Sequence, residues 1–172
     1  MTEAQLSNAM DAYGSTVYRL ALTRMQNIAD AEDVYQEVFL RLWKQAAEDW
    51  DGDRAKAWLI RTTLNRCADL HRFRLRRPVL SFAEIPDLAQ PEDESRELWE
   101  AVSRLPEKAR TAVHLYYAEG YSAEEISQLM HIPAATVRTR LHRARKQLKE
   151  LLGGIDDETC VSRSDGTNFG PQ

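Results

Sequence analysis

The chain has 172 residues, 43% of them hydrophobic and 29% charged, and its formal net charge is −4. This balance excludes an intrinsically disordered chain and is typical of one ordinary folded domain or two small ones. The two cysteines, Cys67 and Cys160, lie far apart, which excludes a disulfide framework and a zinc-finger spacing.

The sequence shows no segment that would direct the chain to a membrane or through one. Its first residues lack the basic and apolar regions of a signal peptide, and no apolar run approaches the roughly 18 residues that span a bilayer. We therefore expect a soluble, cytoplasmic protein with reduced thiols and no membrane insertion.

The charges are segregated along the chain into alternating blocks. Acidic residues outnumber basic ones by eight to two over residues 28–53 and by seven to one over residues 84–100. Basic residues outnumber acidic ones by eight to one over residues 54–77 and by six to one over residues 133–150. Such asymmetry predicts more than one kind of partner, because acidic and basic surfaces attract different molecules.

Helical periodicity dominates the first part of the chain. The apolar spacing predicts a first helix over about residues 6–25 and a second from Asp30, a good N-cap residue, to Lys44. The second helix has an apolar stripe at three- and four-residue steps, and two aromatic residues beside it are more typical of a core than of a contact surface: Val34, Val38, Leu42, Phe39 and Trp43.

A third helix is predicted over residues 55–76, after a loop and before Pro78. Aromatic and basic residues are interleaved around it, with Trp50, Trp58 and Phe73 among Arg and Lys. Interleaving of this kind suits a single nucleic-acid strand, because bases stack on aromatic rings while cations follow the backbone. Trp58 could equally be part of a helical core, so the residues alone leave both interpretations open.

The middle of the chain predicts a break between two domains. Residues 78–95 contain three prolines and an acidic cluster, which is typical of a flexible linker. A helix is predicted over residues 96–105, and Pro106 suits the first turn of the next helix, which Gly120 ends.

The pattern that follows indicates a helix-turn-helix. Ser122 and Glu125 form a capping box at the start of a short helix that ends at Met130, and after a tight turn a longer helix continues to about Leu152. His131 stands in the turn where a positive φ is expected, and it tolerates that conformation better than a β-branched residue would. Apolar residues of both helices can meet in one small core: Ile126, Leu129, Ile132, Val137 and Leu141.

The longer helix presents a basic face opposite its apolar face, formed by Arg138, Thr139, His142, Arg143 and Arg145. An α-helix fits the major groove of B-form DNA, where Arg binds guanine through two hydrogen bonds and other cations neutralise phosphates. For the helix taken alone, the alternative is a solvated basic surface. The capped helix and turn that precede it favour DNA binding.

Three stretches of the chain are informative together: "DAEDVYQEVFLRLWK", "KAWLIRTTLNRCADLHRFRLRR" and "LPEKARTAVHLYYAEGYSAEEISQLMHIPAATVRTRLHRARKQL". In this order, with an acidic linker between the last two, they closely resemble the bacterial extracytoplasmic-function (ECF, group IV) RNA polymerase sigma factors over about residues 9–152. The resemblance implies an all-α fold with two small helical domains, a sigma region 2 bundle and a region 4 helix-turn-helix, joined by the flexible acidic linker.

The resemblance implies a separate function for each segment of the chain. Region 2, over residues 1–77, would bind core RNA polymerase and recognise and melt the minus-10 element of promoter DNA. The linker, over residues 78–95, would thread towards the RNA exit path. Region 4, over residues 96–152, would recognise the minus-35 element, and residues 153–172 would form a disordered tail.

Site residues are implied in the same way. Contacts with core polymerase are expected from Asp33, Gln36, Glu37 and Arg41. A loop over about residues 48–54 would hold a flipped base, and the third helix would follow minus-10 DNA with Trp58, Arg61, Asn65, Arg66 and Arg72. Contacts with the minus-35 element are expected from Arg138, Thr139, His142 and Arg143.

Members of this family are usually silenced by an anti-sigma factor, so such a partner is expected as well. We expect no cofactor, no metal site and no catalytic residue, because the four histidines have no metal-ligand spacing and no phosphate loop or nucleophile motif occurs. A stand-alone, perhaps dimeric, transcriptional regulator is the alternative from another class. It would share the helix-turn-helix but would not need the basic aromatic stretch over residues 54–77.

Overall fold

The computed structural model describes residues 1–45, 52–76 and 93–153, and within these ranges every regular element is a helix. The seven α-helices are α1 (Glu3–Met25), α2 (Ile28–Lys44), α3 (Gly52–Arg76), α4 (Asp93–Ser103), α5 (Glu107–Val113), α6 (Ala123–Met130) and α7 (Ala134–Leu151). A single π-helical turn, His114–Ala118, extends α5. The prediction of an all-α fold is confirmed.

Two helix starts differ from the sequence prediction. Helix α1 begins earlier than predicted, because Thr2 and Gln5 form a capping box. Helix α2 begins at Ile28, and the prediction of Asp30 as its N-cap was wrong. Asn27 has extended backbone, and its side chain accepts a hydrogen bond from the Asp30 backbone N–H at 3.0 Å. Asp30 lies in the first helical turn, where it is buried and pairs with Arg74.

Helices α1, α2 and α3 form an N-terminal bundle with its own hydrophobic core. The predicted stripe of α2 faces this core, since Val34, Val38 and Leu42 are almost fully buried. The two aromatic residues beside the stripe behave differently: Phe39 is buried, whereas Trp43 is 41% exposed. The expectation that both belong to the core was therefore right for Phe39 and wrong for Trp43.

Helices α4 to α7 form a C-terminal bundle that contains the predicted helix-turn-helix. The capping box of Ser122 and Glu125 starts α6, and His131 ends it with a left-handed backbone at φ 53°. Pro106 directly precedes α5 as its N-cap residue, and Gly120 has a positive φ of 76° after the π turn. These features confirm the local predictions for the turn at His131 and the end of the helix at Gly120.

The two bundles pack against each other, which the sequence did not predict. One hydrophobic cluster contains Leu20, Ile60 and Leu64 from the N-terminal bundle together with residues of the C-terminal bundle such as Leu105, Leu115, Ile126 and Leu141. The predicted linker and tail lie outside the described residues, apart from residues 93–95 and Gly153. The cation-bearing faces of α3 and α7 are thus held in one folded unit.

Candidate nucleic-acid interface

The first candidate surface is the outer face of α7. The inner face of this helix is anchored by the buried Val137, Leu141 and Ala144. Because the inner face is fixed in the core, the opposite face must point to solvent. The four residues predicted to contact minus-35 DNA are all exposed there: Arg138, Thr139, His142 and Arg143.

Contacts within α7 and with neighbouring segments hold several of its polar groups in place. Arg138 pairs with Glu124 of α6, and Thr139 donates its hydroxyl to the Ala135 carbonyl at 2.9 Å. Arg145 donates from Nε to the Tyr117 hydroxyl at 2.7 Å. Arg143, by contrast, forms no ion pair with another described residue, so its guanidinium is available to an incoming partner.

The second candidate surface lies on α3. Trp58, Arg61, Asn65 and Arg72 fall within a narrow arc of the helix and extend over about 21 Å of its length at 1.5 Å per residue. Arg61, Asn65 and Arg72 are exposed, and Arg72 pairs with Asp69 at 2.6 Å on the same face. Trp58 is half-buried and packs against the core of the N-terminal bundle, so part of its side chain belongs to the core and part is exposed.

The fifth residue predicted for minus-10 DNA, Arg66, points away from the other four. Its guanidinium pairs with Glu37 of α2, on the side of α3 that faces that helix. Phe73, which is 54% exposed, lies near the C-terminal end of α3. The structure therefore brings together four of the five predicted residues. Most of the loop over residues 48–54 lies outside the described residues.

The third candidate surface is the outer face of α2, which carries the residues predicted to bind core polymerase. Asp33, Gln36 and Arg41 are exposed, and Glu37 is half-buried between Arg41 at 2.7 Å and Arg66. Two large apolar side chains, Leu40 and Trp43, are 52% and 41% exposed on the same helix. Charged groups next to exposed aromatic surface are typical of a protein-binding site.

One functional candidate that the sequence did not reveal is Arg110. Its side chain is buried with only 6% of the residue exposed, and burial lowers the pKa of its guanidinium. The guanidinium donates hydrogen bonds to the carbonyls of Ser103, Leu105, Thr23 and Arg24. Two of these carbonyls belong to α1, so Arg110 joins the two bundles.

The second such candidate is Glu119, just after the π turn. Its carboxylate lies 3.7 Å from the His114 ring nitrogen and 3.0 Å from Lys56 Nζ, and it accepts a hydrogen bond from Thr16 at 3.3 Å. The neighbouring His114 and Lys56 together lower the pKa of Glu119 to about 2 despite its burial. No sequence motif marks Glu119, because Thr16 and Lys56, its partners from the N-terminal bundle, lie far away along the chain.

Neither a metal site nor a membrane span is found in the described part of the chain. Its His, Cys, Asp and Glu side chains form no group of three that could hold a metal ion. Of its helices, none combines the length and the apolar composition that crossing a bilayer requires.

Each of the two bundles matches a known protein family. Residues 9–77 match the family model "Sigma-70 region 2", and residues 95–148 match "Sigma-70, region 4". The chain is 34% identical to ECF RNA polymerase sigma factor SigE of Mycolicibacterium smegmatis, over 87% of this chain and 62% of SigE. It is 32% identical to ECF RNA polymerase sigma factor SigM of Bacillus subtilis, over 85% of this chain and 94% of SigM.

Two solved structures have a similar fold. The sigma factor RpoE of Bartonella quintana, solved with the anti-sigma factor NepR, aligns with a TM-score of 0.72 at 24% identity, over 87% of this chain and 97% of RpoE. CnrH, solved with the cytosolic domain of CnrY, aligns with a TM-score of 0.63 at 25% identity, over 90% of this chain and 92% of CnrH.

Proposed function

The chain belongs to the ECF RNA polymerase sigma factors, and from this membership we propose that it binds core RNA polymerase and directs it to promoters through the exposed faces of α2, α3 and α7. The polymerase supplies the chemistry, and this chain supplies the choice of start site in the cytoplasm. The observation that supports the proposal most directly is the pair of cation-bearing faces on α3 and α7, one on each bundle.

The face of α3 suits the minus-10 element. Separating and flipping bases costs a few kcal/mol for each unstacked base, so the protein must provide compensating contacts. Arg61 and Arg72 can follow the backbone of the melted strand, and Asn65 offers both a donor and an acceptor to a base or a phosphate. The half-exposed Trp58 and the exposed Phe73 provide rings beside these groups.

The face of α7 suits the major groove at the minus-35 element. Arg143 and Arg138 have planar guanidinium groups that can donate two hydrogen bonds to one guanine or one phosphate. The Thr139 hydroxyl can contact either a base or a phosphate. Binding at this second site adds free energy that offsets the cost of melting at the first. Because Arg138 is paired with Glu124 in the free chain, DNA must displace that carboxylate before Arg138 can contact a base.

The face of α2 suits the clamp helices of the largest polymerase subunit. Its exposed Leu40 and Trp43 can be buried against an apolar partner, while Asp33, Gln36 and Arg41 can form polar contacts around them. We further propose an anti-sigma partner for this chain. CnrH, whose fold this chain shares, was solved with the cytosolic domain of CnrY bound.

Transcription with purified components tests the function directly. Core polymerase that lacks any other initiation subunit, when mixed with this chain and a library of genomic fragments, is expected to start at discrete positions that share two sequence elements. The same core polymerase without the chain is the control and is expected to show no such positions. Random initiation in both reactions would contradict the proposal. A chain that binds a DNA operator as a dimer but never co-purifies with polymerase would favour the stand-alone regulator.

Arg143→Ala is expected to weaken promoter use by about 1–3 kcal/mol and to relax the preference at one base of the upstream element. The physical reason is the loss of a cation that makes no ion pair with another described residue and is therefore free to contact DNA. The measurement is run-off transcription from promoters that carry every base at each upstream position. Lys146→Ala removes an exposed cation from the same helix outside the predicted set and is the matched control. Unchanged base preference in Arg143→Ala would contradict the assignment.

A further inference from the structure

Arg145 of α7 lies against two tyrosine side chains of the π turn. Its Nε donates a hydrogen bond to the Tyr117 hydroxyl at 2.7 Å, and its guanidinium carbon lies 5.6 and 5.8 Å from the centres of the Tyr116 and Tyr117 rings. The two rings meet edge to face, with their centres 4.9 Å apart. One directional hydrogen bond and cation–π attraction therefore hold a long arginine side chain in a defined place on the surface.

The π turn explains how a tyrosine hydroxyl reaches this place. The Glu119 backbone N–H donates to the His114 carbonyl at 3.2 Å, so this turn contains one residue more than an α-helical turn. His114 and Leu115 stay buried, whereas Tyr117 is 51% exposed. Single π turns occur frequently at functional sites. Here the turn presents the phenol of Tyr117 to Arg145 at the surface.

The pair leaves strong hydrogen-bond donors for an anion. A guanidinium has five N–H donors, and a tyrosine hydroxyl that accepts one hydrogen bond can still donate its own. Within the described residues, the guanidinium of Arg145 bonds to Tyr117 and makes no ion pair. Arg138 differs, because the carboxylate of Glu124 cancels its charge. The Arg145 guanidinium therefore keeps its positive charge, and its terminal N–H groups can act together with the Tyr117 hydroxyl on one anion.

The position of the pair favours a phosphate over a base. Recognition helices contact base edges mainly with their N-terminal residues, and Arg145 lies two turns beyond Arg138, about 10 Å further along α7 at 1.5 Å per residue. It also lies about 120° around the helix from Thr139, at 3.6 residues per turn, next to the buried Leu141. A cation at the flank of a helix in the major groove faces the sugar–phosphate backbone that borders the groove.

From these observations we propose that Tyr117 and Arg145 form a binding site for one phosphate of the promoter backbone beside the minus-35 element. Arg145 supplies the charge, and Tyr117 donates its hydroxyl while it positions the guanidinium. The proposal rests on the sigma-factor function given above and adds to it a contact from the π turn, outside the helix-turn-helix. Because a phosphate contact fixes the position of a protein on DNA without reading the sequence, the pair is expected to strengthen binding to all promoters alike.

The first test measures binding of labelled promoter duplex to core polymerase carrying the full-length chain, over a series of salt concentrations. Tyr117→Phe keeps the ring and the charge of Arg145 but removes the hydroxyl, and it is expected to weaken binding about three- to tenfold. Arg145→Met is expected to weaken binding at least as much and to make the slope of log K against log salt shallower by about 0.9. Arg145→Lys keeps a charge but has no Nε–H, so it is expected to behave like Tyr117→Phe.

Tyr121→Phe is the matched control for the hydroxyl, because Tyr121 lies in the same bundle and its ring contacts Lys56 and not Arg145. This variant is expected to bind the duplex as the wild type does. Circular dichroism of every variant checks that the helices are intact.

The second test identifies the phosphate itself. A methylphosphonate linkage replaces one charged phosphate by a neutral group, and it is moved one linkage at a time around the minus-35 element. At one linkage the wild type is expected to lose about three- to tenfold in affinity, whereas Arg145→Met and Tyr117→Phe lose little further, because their contact is already missing. Lys146→Ala, which changes an exposed cation of the same helix, is expected to keep the loss shown by the wild type.

Four results would overturn the phosphate site. They are equal affinity of Tyr117→Phe and wild type, absence of any linkage at which Arg145→Met becomes insensitive, a changed base preference in Arg145→Met, and weaker assembly of Tyr117→Phe with core polymerase when no DNA is present. The third result would assign Arg145 to a base, and the fourth would assign the pair to a protein contact. Failure of the sigma-factor proposal is distinguishable, because the wild type itself would then not direct polymerase to promoters.

Discussion

Leu141→Ala is expected to reduce the free energy of unfolding by about 2–5 kcal/mol. Leu141 is 2% exposed on the inner face of α7, and it belongs to the hydrophobic cluster that joins the C-terminal bundle to Leu20 and Ile60. Truncation removes apolar contacts and leaves a cavity that rigid helices cannot close. Urea unfolding followed by helical circular dichroism measures the loss as a lower midpoint.

Leu98→Ala is the matched control, because Leu98 lies in the same bundle but is 46% exposed. Its effect is expected to stay within about 0.5 kcal/mol, as for other surface substitutions. Equal losses in the two variants would show that Leu141 is not part of the core. Since the inner face of α7 holds the face that we propose to contact DNA, Leu141→Ala is also expected to abolish use of the upstream promoter element at temperatures where α7 is unfolded.

The helices could be predicted from the sequence because their signals are local. The stripe Val34, Val38 and Leu42 repeats with the period of the helix, and the structure buries all three residues. The turn at His131 was predicted from a local pattern as well, since a left-handed residue is common between the two helices of a helix-turn-helix, and His131 has this conformation.

The errors at the start of α2 and at Trp43 show where local signals become ambiguous. Asn27 and Asp30 are both good N-cap residues three positions apart, and the extended backbone of Asn27 decides between them. Phe39 and Trp43 lie one helical turn apart, but at the end of α2 the buried Leu42 takes the position that faces the core, and Trp43 stays 41% exposed. Which of two neighbouring apolar residues is buried depends on how the helices pack and not on this segment alone.

The candidate site was predictable only in part. The exposure of Arg138, Thr139, His142 and Arg143 follows from helical geometry, because the apolar residues of α7 fix which side is outside. Arg66 could not be placed in this way, since its pairing with Glu37 depends on how α2 and α3 pack. The polar contact between the two bundles could not be predicted for the same reason: Lys56 and Glu119 meet in space although they are far apart in sequence.

Arg110→Met is expected to cost about 3 kcal/mol or more of unfolding free energy, because it removes the only side chain described as donating hydrogen bonds to four carbonyls, most of them partly or fully buried. Methionine keeps most of the apolar stem and removes the guanidinium, so the loss combines four carbonyls left without this donor and the volume that the guanidinium vacates. Arg110→Lys should restore little, since one ammonium cannot match the planar geometry of a guanidinium.

Arg104→Met is the matched control, because Arg104 is an exposed arginine six residues away, and its effect is expected within about 0.5 kcal/mol. Two of the Arg110 acceptors lie in the last turn of α1, so Arg110→Met removes hydrogen bonds between the two bundles as well as those within the C-terminal bundle. Equal stability of the Arg110 and Arg104 variants would mean that water replaces the guanidinium at all four carbonyls.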